Sequence, residues 1–65
     1  MITITHKNSK ESFNKFPVYY KHYSIYGYIT LGIDEVNEFS VIFNHVNDNE
    51  IIFEDISDEF IINIK

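Results

Sequence analysis

The chain of 65 residues contains no cysteine, arginine, tryptophan, alanine or glutamine, and has two glycines and one proline. The missing cysteines exclude disulfides and thiolate metal sites. That matters because a domain this short buries only about 60% of its unfolded surface. Small chains commonly add disulfides, a metal or a partner subunit. What remains is a dense core or self-association. With glycine only at Gly27 and Gly32 there is no phosphate-cradling loop. Without arginine the usual bidentate contact to guanine or phosphate is missing. A net charge of −5 opposes a phosphate backbone. Tyrosines can stack on single-stranded bases, but the only cations in their half of the chain are four lysines, so direct nucleic-acid binding is not expected. The apolar runs are a few residues long, far short of a membrane span. The N-terminus, Met1-Ile2-Thr3-Ile4-Thr5-His6, has no basic stretch followed by a continuous apolar one and does not read as a signal peptide. No membrane partner and a cytoplasmic location follow as expectations, the host cytoplasm if the chain is phage-encoded.

What is present is apolar and aromatic: twelve Ile, six Phe and five Tyr. Ile, Asn, Lys and Tyr have AT-rich codons, which fits an AT-rich bacterial, phage or plasmid genome. Charge is divided unevenly. Residues 1–32 set Lys7, Lys10, Lys15 and Lys21 against Glu11, a balance of +3. Residues 33–65 set nine acids against Lys65, a balance of −8. Such asymmetry points to an electrostatically specific partner.

The patterning predicts one compact domain over 1–65, α+β or mainly β. Its expected form is a small antiparallel sheet of four to five strands with one short helix. Ile2 and Ile4 alternate with Thr3 and Thr5, a strand with one buried face. In the polar stretch 7–17, Ser9 is placed to cap one or two helical turns through Lys15, with Phe13 and Phe16 packed inward and Pro17 as the stop. Residues 18–31 are the strongest β segment, dense in β-branched and aromatic side chains. One long curved strand, or two strands joined near 21–24, fits equally. Read as one strand, Tyr19, Lys21, Tyr23, Ile25, Ile29 and Leu31 share a face, and Val18, Tyr20, His22, Ser24, Tyr26 and Tyr28 share the other. Period alone leaves 35–46 open between helix and strand. Strand is favoured over 39–46 because Asn47-Asp48-Asn49-Glu50 beside it suits a hairpin turn, which leaves 34–38 as one helical turn or a loop. Residues 51–56 return as the hairpin partner, with Ile51 and Phe53 on one face and Ile52 and Ile56 near the other. Residues 57–59 turn, and 60–64 form a last strand.

Chemistry-bearing motifs are few. His6, His22 and His45 lie in no motif with Ser or Asp and read as surface or sheet-packed residues. Asn47 to Glu50 resembles a short piece of a calcium loop, yet lacks that loop's Gly and distal Glu; Asn and Asp suit turns. No catalytic residue, metal site or cofactor is expected, and the chain does not read as an enzyme. The acids are more informative. Asp34, Glu35, Glu38, Glu54, Asp55, Asp58 and Glu59 fall largely in connections and strand ends, and a 39–46/51–56 hairpin gathers most of them at one end as a negative patch.

The expected function is binding: a small acidic inhibitor that blocks the basic nucleic-acid-binding surface of a target protein. Small, acidic, cysteine-free anti-CRISPR and anti-restriction proteins have this general character, an analogy of composition and length alone. The partner-binding candidates are the seven acids above with Tyr20, Tyr26 and Tyr28. The alternative expectation is an antitoxin or immunity protein, which would use the same acids and tyrosines to block a basic toxin. The tyrosine-rich segment also suits a structural module or homodimer, since Tyr is favoured at interfaces.

Overall fold

The computed structural model describes residues 1–36 and 38–65. Seven strands form in chain order: β1 (Ile2–His6), β2 (Ser12–Phe13), β3 (Val18–His22), β4 (Ile25–Ile33), β5 (Phe39–Asn47), β6 (Glu50–Asp55) and β7 (Phe60–Ile64). They make two antiparallel sheets, a small one in the order β2-β1-β7 and a large one in the order β3-β4-β5-β6. The mainly β class and the strands over 39–46, 51–56 and 60–64 are borne out. No α-helix occurs among the described residues; a single 3₁₀ turn spans Ser57–Glu59.

The helix expected over 9–15 is replaced by a turn and β2. The His6 ring nitrogen Nδ1 accepts the backbone N–H groups of Asn8 and Ser9. The His6 N–H donates to the Glu11 carbonyl. Together they fold the chain back, so that Ser12 and Phe13 pair with Thr5 and Ile4. Phe13 and Phe16 still pack inward against the core. Residues 18–31 form two strands around Tyr23 and Ser24, with His22 paired to Ile25 and Tyr20 to Gly27. That two-residue turn corrects the single-strand face assignment. Side chains alternate along a strand, but the reversal resets the count, so Tyr19 and Lys21 now share a face with Tyr26 and Tyr28.

The β5–β6 hairpin closes through Asp48 and Asn49, both at positive φ (50° and 66°), as the primed hairpin turns require. In the 34–38 connection an Asp34 carboxylate oxygen accepts the N–H groups of Val36 and Glu38. That makes it a loop fixed by one side chain; Asn37, inside it, lies outside the described residues.

The core lies between the sheets. Ile4 from β1 and Phe60 from β7 meet Ile29, Val41 and Phe43 from the large sheet, with Ile56 beside them. Burying a side chain of this size is worth about 1.5–3 kcal/mol. Ser57 ties the sheets together: its hydroxyl accepts the Val41 N–H at 2.8 Å, while the Ile56 N–H reaches the Val41 carbonyl at 2.9 Å. The small sheet therefore covers one face of the large sheet and leaves the other to solvent.

Candidate functional site

The seven acids divide by what their oxygens touch. Asp34 holds the β4–β5 loop as described. Asp55 accepts both the N–H and the hydroxyl of Ser57, and these two bonds hold its carboxyl below the ordinary carboxylate value. Glu54 Oε1 meets His45 Nε2 at 2.5 Å. Glu59 takes two histidines, His22 Nε2 on Oε2 at 2.8 Å and His6 Nε2 on Oε1 at 3.4 Å. Burial pushes the Glu59 carboxyl up, but the hydrogen bonds from His22 and His6 outweigh it, so its pKa ends lowered. Reversing the charge of any of these four would remove contacts of the fold as well as a charge.

Glu35, Glu38 and Asp58 differ: among the described residues no ion pair involves them, since the ion pairs there all join a histidine to Glu54 or Glu59. They extend from connections that Asp34 and Asp55 anchor. Glu35 and Asp58 flank the same end of β5, because Ser57 sits beside Val41 and the 34–38 loop leads into Phe39.

The histidines are all structural partners of glutamates, a pairing invisible in sequence because Glu59 lies 53 residues from His6 and 37 from His22. His22 and His45 are buried, flanking Phe43 with ring centroids 5.2 Å away on either side. The convergence of His6, His22 and Glu59 is not a ligand set. His6 Nδ1 accepts two N–H bonds, so the ring proton sits on Nε2 and points at Glu59. A metal on Nε2 would require that proton on Nδ1, at the loss of both bonds.

The tyrosines also divide. Tyr20 turns inward, edge-on to Phe13, Phe43 and Phe60. Burial raises its pKa, helped by Glu59 and Glu11. Tyr26 and Tyr28 turn outward, and Tyr19 joins them, stacked on Tyr26 at 5.6 Å and edge-on to Tyr28 at 5.5 Å. Lys21 Nζ lies 5.5 Å from the Tyr26 ring centroid. The register carries this surface across the sheet. Tyr19 pairs with Tyr28, Tyr28 with Asn44 and Asn44 with Phe53; Val46 pairs with Ile51. Phe53, Val46 and Ile51 are not among the sequence candidates, although Ile51 and Phe53 fall on one face as expected, and Tyr19 enters them only within the tyrosine-rich segment of the homodimer reading.

The described residues enclose no pocket, and no helix among them is long and apolar enough to cross a membrane. Comparison with protein families, curated proteins and solved structures finds no match to this chain.

Proposed function

We propose that the protein acts by binding another protein, as an inhibitor whose target bears a basic, nucleic-acid-binding surface. The observation that carries this reading is the state of Glu35, Glu38 and Asp58. Three carboxylates with no cation partner among the described residues extend from anchored connections of a chain with net charge −5. Uncompensated like charges oppose folding, and a basic partner would relieve that repulsion on contact. Electrostatic complementarity of this kind steers encounter and sets specificity. The four fold-bound acids, Asp34, Glu54, Asp55 and Glu59, add to the field without contacting the target.

The test is capture of a basic nucleic-acid-binding protein from a bacterial lysate at two ionic strengths. Exposed charge pairs are screened over about 8–10 Å at physiological salt, so capture is expected to fall as salt rises. The triple variant Glu35→Lys, Glu38→Lys, Asp58→Lys is expected to abolish capture while keeping the wild-type fold by circular dichroism. Capture indifferent to salt and to the triple variant would sink the reading.

A further inference from the structure

We propose that the outer face of the large sheet is a self-association surface, packed face to face against the same surface of a second copy of this chain. This rests on the aromatic sheet face, independently of the acidic connections.

The first argument is area. Tyr19, Tyr26, Tyr28, Val46, Ile51 and Phe53 are 51–69% exposed on one continuous face. At roughly 200 Å² per aromatic side chain, the four rings alone offer about 450 Å². Val46 and Ile51 take the patch to the top of the ~300–600 Å² seen for the largest patch on a typical monomer. It approaches the ~800 Å² per partner of a standard interface. The whole molecule agrees: it exposes 4868 Å², whereas a compact monomer of 7.8 kDa should expose roughly 4400 Å².

The second argument is charge. The chain carries −5 overall, yet the sheet positions on this face hold one cation, Lys21, and one acid, Asp55. A basic target would select for acids here. A like copy, itself acidic, needs a neutral patch, and this face is neutral.

The third argument is geometry. Lys21 lies on edge strand β3, one step beyond the Tyr19–Tyr28–Asn44–Phe53 row; Asp55 lies on edge strand β6, one step beyond it on the other side. Three strand spacings separate them in one direction, about 14 Å, and four residues in the other, about 13 Å. A two-fold axis across that diagonal sets Lys21 over Asp55 of the partner subunit, twice, with the aromatic row between. The strands then cross near 90°, one of the two standard sheet packings. The interface is isologous, as most dimers are.

The experiment is sedimentation equilibrium from micromolar to millimolar concentration. A species of twice 7.8 kDa is expected. Tyr28→Lys places a charge at the centre of the face and should weaken dimerisation about 100-fold, as central interface residues do. Thr5→Lys, on the outer face of the small sheet, should leave it unchanged. Both replace outward side chains, and circular dichroism checks that each keeps the fold; Phe53→Lys serves as a second central variant if Tyr28→Lys does not. The Glu35, Glu38, Asp58 triple variant should remain a dimer, which separates this proposal from the target-binding one. A 7.8 kDa monomer at millimolar concentration, or a dimer broken by Thr5→Lys and not by the central variants, overturns it. So does a monomer whose central variants instead lose capture of a basic target.

Discussion

The two sheets turn different surfaces to solvent. The small sheet shows Thr3, Thr5, Ser12 and Asn63, with Ile61 beside them. Two of its hydroxyls, those of Thr5 and Ser12, hydrogen-bond to each other at 2.8 Å. The large sheet shows Tyr19, Tyr26, Tyr28, Val46, Ile51 and Phe53. Both faces alternate with equally apolar inner positions, so the same pleat yields a finished surface on one side of the molecule and an unfinished one on the other. An antiparallel sheet with one face on the core normally keeps the other polar. The small sheet obeys that rule. The departure of the large sheet is therefore informative, because an open apolar face costs solubility even where its aromatic pairs stabilise the strands that carry them.

The largest break to this comparison comes from behind the aromatic face. A Cβ on Gly27 would stand 2.3 Å from the Asn44 carbonyl oxygen and 2.9 Å from the Phe43 ring. Backbone cannot rotate away, so β4 and β5 must separate. Gly27→Ala is expected to lose about 3 kcal/mol in urea unfolding, despite the small entropic gain that replacing a strand glycine brings. Thr5→Ala on the small sheet should change stability by about 0.5 kcal/mol or less. Equal losses at the two sites would mean that the sheets do not differ in how tightly their backbones are packed.

The next effect concerns the seam between the sheets. Ser57→Ala leaves the Val41 N–H without its acceptor and Asp55 without its hydroxyl donor. An unsatisfied, part-buried donor costs about 1–3 kcal/mol, and about 2 kcal/mol is expected by thermal unfolding. Ser57→Thr, which keeps the hydroxyl, should recover most of it. A loss unrelieved by threonine would place the cause in packing instead.

The strands were legible where local signals coincide. Alternation in 2–5, the Asn47-Asp48-Asn49-Glu50 turn and the apolar run 60–64 each reflect interactions within a few residues, and each is found in the fold. Two features were only partly legible. A join near 21–24 is one of two equal readings of 18–31, and Tyr23 and Ser24 carry no Gly, Asn or Pro to decide it; only the β3–β4 register separates Tyr20 from Tyr26 and Tyr28. The acids of 54–59 looked alike by composition. Only the packing of the small sheet on the large one brings His6 and His22 to Glu59 and gives it a structural role.

That role has a pH signature smaller than the two losses above. Glu59 has a folded pKa below its ordinary 4.5, so the folded state binds its proton less readily than the unfolded one. Its contribution is complete above about pH 4.5 and is lost as the pH falls through the lower, folded value. With the side chain 30% exposed, solvent screening keeps that contribution small. Denaturant titrations between pH 6 and pH 3 should show a shallower acid loss for Glu59→Gln than for wild type. Identical slopes would remove the histidine pairs from the account of stability and leave the small sheet held by its apolar core alone.

The smallest effect should be a gain, and it lies at the tip of the aromatic sheet. The two hairpin turns of the large sheet solve one problem differently. The β5–β6 turn places Asp and Asn at positive φ, residues that tolerate it. The β3–β4 turn places Tyr23 there, at φ 57° and 82% exposed. A bulky side chain in the left-handed region is strained by roughly 1–2 kcal/mol. Its compensation is one edge contact with the His22 ring at 4.6 Å, worth about 0.5–1.5 kcal/mol. Tyr23→Gly removes both and should stabilise the fold by about 0.5 kcal/mol in thermal unfolding. Asn49→Gly, at a position already suited to its φ, should change stability less. A stabilised Tyr23→Gly variant that also dimerises more weakly would extend the associating face to the hairpin tip, and would explain why a strained tyrosine stands where glycine fits better. A destabilised variant would show instead that the His22 contact outweighs the strain, and that Tyr23 belongs to the sheet's own packing.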